Sequence, residues 1–174
     1  MCLATPTAVP PVKPSIPKLL PPTFVSSEPW HDRRIRALAM YCSDGRWGDA
    51  FDELCHCRLH IPRYDRFAVP GGPAWLAERP AGAFAGSNVQ NQAAWEQLKL
   101  LVTAHDIQRV VLISHYGCAY YMHRLGRDAD ACVQTQIDDL KRATEAVNAH
   151  FPRVLVESFI AMRDETQMSF HRTI

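Results

Sequence analysis

Apolar residues gather in short blocks separated by turn-forming residues over most of the chain. Residues 35–42 (IRALAMYC) are mostly apolar and stop at Ser43-Asp44-Gly45, a pattern that predicts a buried strand. Phe67-Ala68-Val69 predicts a second, short strand, closed by Pro70-Gly71-Gly72-Pro73. Residues 109–114 (RVVLIS) form a β-branched run and predict the clearest strand of all. Residues 154–162 and 167–171 predict a terminal strand pair around Asp164-Glu165. Between these blocks the period changes. Residues 91–105 contain no Gly or Pro and place Ala94, Trp95, Leu98, Leu101 and Val102 at helical spacing. Residues 132–150 set Val133, Ile137, Leu140, Ala143 and Val147 on one stripe, with Pro152 just past the end. Residues 47–59 have room for a helical turn or two. Strands alternating with helices predict an α/β fold, with a mostly parallel β-sheet flanked by helices.

The first 30 residues read differently. Eight of the 13 prolines fall within residues 1–30, so an extended, Pro-rich N-terminal arm is expected there, with the α/β domain over residues 31–174. A chain of 174 residues has room for one domain with a real core, and 47% hydrophobic with 21% charged residues is a globular composition. Lys and Arg number 19 against 18 Asp and Glu, so no nucleic-acid or anionic-membrane partner is expected. The chain has no continuous apolar run long enough for a membrane span. Prolines interrupt residues 6–22, and no secretory signal is legible. A cytoplasmic setting with reduced thiols is therefore expected for the six cysteines, with metal binding or catalysis as the use of some.

Ligands of parallel sheets sit at the carboxyl ends of the strands. Two segments occupy such places. Cys42-Ser43-Asp44-Gly45-Arg46 follows the first predicted strand, and His115-Tyr116-Gly117-Cys118 follows the RVVLIS strand. If those strands are neighbours, Cys42, His115 and Cys118 meet. Two thiolates and an imidazole are a zinc ligand set that leaves a fourth position for water, substrate or another side chain. Asp44 is placed to accept a hydrogen bond at that position or to bind the metal itself, and Arg46 to keep Asp44 ionised and oriented. Other groups have blander readings. Cys55-His56-Cys57 is spaced too tightly for a zinc knuckle, and no second pair follows it. Cys132 is expected on a helix face, and the remaining histidines at the surface or at caps.

The pair C-x-D-x-R and H-x-x-C, each after a strand, resembles the signature of β-class carbonic anhydrases over roughly residues 35–150. The resemblance implies zinc-dependent, reversible hydration of CO2 to bicarbonate. It makes Cys42, His115 and Cys118 the zinc ligands, and Asp44 and Arg46 the pair that orders the site. It also implies a homodimer or higher homo-oligomer, whose second chain the Pro-rich arm would embrace. Some positions depart from the family pattern. Its Arg-Asn-Ala-Gly-Asn segment is Val69-Pro70-Gly71-Gly72-Pro73 here, its Cys-Gly-Ala is Cys118-Ala119-Tyr120, and the Gly before the His is Ser114. The changes sit near the expected substrate pocket, which Tyr116, Tyr120 and Tyr121 would narrow. They leave open hydrolysis of the linear CO2 analogues carbonyl sulfide or carbon disulfide, and a non-catalytic zinc module with Asp44 as fourth ligand.

Overall fold

A computed structural model describes residues 20–77 and 87–173. The chain divides between Asp32 and Arg33 into two units. Residues 20–32 contain neither helix nor strand.

The larger unit is built on a five-stranded sheet of order β2-β1-β3-β4-β5. Its strands are β1 (Ala37–Cys42), β2 (Asp65–Val69), β3 (Arg109–His115), β4 (Leu155–Arg163) and β5 (Met168–Arg172). β1 lies parallel to both β2 and β3, β3 parallel to β4, and only β5 runs antiparallel. This is the mostly parallel sheet that the alternating pattern predicts. Its central strands are buried along nearly their whole length, as strands covered on both faces must be.

The two-residue period of a strand sorts these side chains between two layers. Leu38, Met40, Val110 and Leu112 face the core formed with α2 (Ser87–His105) and α4 (Ala129–His150), where Leu98, Leu140 and Val147 meet them. Ala37, Ala39, Tyr41, Val111 and Ile113 face the opposite layer, packed by Trp47, Phe51, Leu54 and Leu59. That layer is made by a 3-10 turn at Gly45–Trp47, helix α1 (Gly48–Glu53) and a π-helical stretch, Leu54–Arg58.

Several boundaries differ from those expected. α4 starts three residues earlier, at Ala129, because the Asp128 carboxylate accepts the Ala131 N–H at 2.8 Å and caps the helix. A short helix, α3 (Ala119–Leu125), was not predicted; Cys118 caps its start, and Gly126, at φ 62°, ends it in the left-handed conformation. His150 donates to the Ala146 carbonyl at 2.9 Å in the last turn of α4, a capping role, whereas His105 pairs with Asp65. Among the described residues, no helix is long and apolar enough to cross a membrane.

Candidate metal centre

β1 and β3 are adjacent and parallel, in the register Tyr41↔Ile113. Their carboxyl ends therefore open side by side. Cys42 is the last residue of β1, and His115 the last of β3. The tight turn after His115 passes through Gly117, whose φ of 69° suits glycine, and returns Cys118 to the same place. The ligand atoms of Cys42, His115 and Cys118 all lie within 4.8 Å of one another, and all three residues are buried.

The separations and the chemistry fit a tetrahedral metal. The two sulfurs stand 3.7 Å apart, and both cysteines are free thiols. With Zn–S bonds of about 2.3 Å, the edge of a tetrahedron is about 3.8 Å, whereas a disulfide needs about 2.05 Å. His115 donates from Nδ1 to the Tyr116 carbonyl at 2.9 Å, which fixes the tautomer and leaves Nε2 as an acceptor. Among the described residues, that Nε2 is buried without a hydrogen-bond partner. An unpaired buried acceptor costs free energy, and a cation between the sulfurs and the ring would satisfy it. The thiols agree. Cys42 is pushed well below the usual thiol range, chiefly by the hydrogen bond from Cys118 and against the effect of burial, with help from the backbone N–H groups of Gly71 and Asp44. Cys118 is pushed above that range, because it holds the proton beside Cys42 and is itself buried. Two sulfurs this close do not both ionise alone; a divalent cation lets them.

Asp44 has a different employment. Its carboxylate caps the 3-10 turn by accepting the Arg46 N–H at 3.1 Å. The Arg46 guanidinium binds the same carboxylate with two teeth, Nε at 2.9 Å and NH2 at 2.5 Å. This pairing, opposed by slight desolvation, lowers the Asp44 pKa to about 2. Asp44 is thus ionised and oriented, and it lies outside the three-residue cluster.

The Val69–Pro73 segment closes the site from the β2 side. Val69 is in register with Cys42, and the Gly71 N–H donates to Cys42 Sγ at 3.4 Å. Gly71, at φ 83°, packs under the Tyr120 ring. Of the tyrosines expected to narrow a pocket, Tyr120 does lie against this segment. Tyr121 is core, 1% exposed, with its hydroxyl donating to Asp139 at 2.8 Å. Tyr116 points to the surface and donates to Asp130.

Sequence reading missed three neighbours of the ligands. Trp47 lies 4.9 Å from the His115 ring, Phe51 lies 6.4 Å from it, and Gln136 donates to the His115 carbonyl. The signal for the aromatics was present, as a Trp and a Phe four apart just past Cys42. Gln136 gave no signal.

No protein-family model matches this sequence, and no curated protein matches it. Solved structures do. The chain is similar to the wild-type β-carbonic anhydrase CafD of the filamentous fungus Aspergillus fumigatus, with a TM-score of 0.51 and 12% identity, over 85% of this chain and 95% of that one. It is also similar to the β-carbonic anhydrase CafA of the same fungus, with a TM-score of 0.51 and 13% identity, over 80% and 76% of the two chains. At this identity the likeness establishes the fold.

Proposed function

We propose that the chain binds zinc through Cys42, His115 and Cys118 and catalyses reversible hydration of CO2 to bicarbonate. One observation carries the reading: an imidazole nitrogen, buried and without a partner among the described residues, beside two sulfurs spaced like the edge of a zinc tetrahedron. The carbonic anhydrase scaffold of CafD and CafA supports it. Zinc held there supplies Lewis acidity, the property that makes water a nucleophile near neutral pH. The chain's own residues do the rest. Nδ1 of His115 stays protonated on the Tyr116 carbonyl, so Nε2 remains available. Asp44, ionised by Arg46, offers an oriented acceptor beside the ligand set. The Arg46 pairing engages both oxygens of Asp44 and so favours water or substrate over Asp44 as the fourth ligand of a bound zinc.

The assembly reading follows the same scaffold. We infer a homo-oligomer in which the N-terminal arm covers a second chain. Leu20, Phe24, Val25 and Trp30 support this, being 91%, 82%, 75% and 90% exposed.

Stopped-flow CO2 hydration by the zinc-loaded chain tests the function, with Cys42→Ala as control. Hydration above buffer that vanishes in the variant is expected. Zinc-loaded protein that releases hydrogen sulfide from carbonyl sulfide or carbon disulfide but hydrates no CO2 would move the substrate to those analogues. Loaded protein inert to all three substrates would refute an enzymatic role.

A further inference from the structure

Helix α4 buries two polar side chains about one turn apart, Gln136 and Asp139, both 0% exposed. Each holds a different ligand-bearing segment. Gln136 Nε2 donates to the His115 main-chain carbonyl at 2.7 Å and to Ser114 Oγ at 3.2 Å. Asp139 Oδ2 accepts the Tyr121 hydroxyl at 2.8 Å, while its Oδ1 accepts from Arg142 at 3.2 Å. Tyr121 sits in the first turn of α3, the helix that Cys118 caps, and its N–H donates to the Cys118 carbonyl at 3.1 Å. α4 therefore reaches His115 directly and Cys118 through one residue. Cys132, one turn before Gln136, packs in the same apolar cluster as Cys42 and Cys118.

This arrangement is a poor way to stabilise a helix. The rest of the stripe is apolar or small, with Leu140, Ala143 and Val147 fully buried or nearly so. Apolar residues at 136 and 139 would avoid desolvating an amide and a carboxylate. The amide orientation is dictated by the His115 carbonyl, which only accepts. The cost falls on Gln136 Oε1, which is buried without a partner among the described residues. α4 thus departs from its apolar pattern where it faces the two turns that carry His115 and Cys118.

We infer that Gln136 and Asp139 are positioning residues, which together set the His115 turn against the Cys118 turn so that the ligand set is formed before metal arrives. The inference rests on the zinc-site reading above. It goes beyond it by placing two residues outside the C-x-D-x-R and H-x-x-C segments in control of metal affinity.

The test uses the full chain as wild type, Gln136→Leu, Tyr121→Phe and Asp139→Asn. Zinc affinity is measured by competition with a chromophoric chelator, Co²⁺ loading by its visible absorption, and metal-free stability by urea unfolding. Gln136→Leu and Tyr121→Phe are expected to weaken zinc binding by about 10–100-fold and to change the intensity of the Co²⁺ bands. Gln136→Leu takes the amide donor from the His115 carbonyl, so a loss of metal-free stability is expected and is read separately from the loss of affinity. Asp139→Asn keeps an acceptor for Tyr121 and should stay near wild-type affinity. Tyr121→Phe removes one hydroxyl and keeps the ring, so it serves if Gln136→Leu does not fold. Zinc affinities within twofold of wild type, with unchanged Co²⁺ bands, would overturn the inference while leaving the metal site intact. A wild-type chain that takes up no zinc would overturn both.

Discussion

Gly72 lies so close to the end of β1 that a Cβ there would stand 2.6 Å from the Tyr41 carbonyl carbon and 2.7 Å from the Cys42 nitrogen. Its φ of 51° is also in the left-handed region. The obstruction is main chain and cannot swing away. Gly72→Ala is therefore expected to cost roughly 2–4 kcal/mol, from left-handed strain plus overpacking. The loss should appear in the midpoint of urea unfolding. A change below about 0.5 kcal/mol, the size of an ordinary surface substitution, would mean that the Gly71-Gly72 turn does not pack on the Cys42 strand as described.

Among the described residues, Arg46 makes its hydrogen bonds to Asp44 and none to Cys42, His115 or Cys118. Arg46→Ala should therefore leave zinc stoichiometry intact while lowering turnover by about 10–100-fold, the usual cost of losing a group that orients a site. Turnover and metal content are measured on the same preparation. Full activity in the variant would remove the Asp44–Arg46 pair from the mechanism.

Outside the ligand cluster, Asp52 accepts the Tyr64 hydroxyl and is paired with Arg66 at 2.9 Å. Burial raises its pKa, but these two partners outweigh it and hold the carboxyl below its ordinary value. A depressed folded-state pKa adds stability above the unfolded pKa, and that stability is lost as pH falls through the folded value. The stability difference between wild type and Asp52→Asn should therefore be constant at neutral pH and shrink below about pH 4, the unfolded carboxyl value. Urea titrations at a series of pH values check this. A difference that grows on acidification would reverse the assignment.

The sheet was legible because its central strands are apolar runs ended by turn residues, and β1 and β3 lie where residues 35–42 and 109–114 predict them. The meeting of Cys42 with His115 and Cys118 followed from one assumption, that these two strands are neighbours, and the sheet order places them so. The support behind the ligands was not legible. Of the stripe expected on α4, Leu140, Ala143 and Val147 are buried but Val133 and Ile137 are only half-buried; the buried line continues through Cys132, Gln136 and Asp139. A hydrophobic pattern has no means of marking a buried Gln or Asp, because their burial depends on partners that the fold supplies from distant segments. α3 was hidden for a related reason: its seven residues, AYYMHRL, are too few to show a helical period.

X-ray absorption at the zinc edge of the purified full chain tests the central claim most directly. The account predicts one zinc per chain, with two sulfurs at about 2.3 Å, one imidazole nitrogen at about 2.0–2.1 Å and a light atom completing the tetrahedron. A chain without zinc, or a shell of four sulfurs, would contradict it.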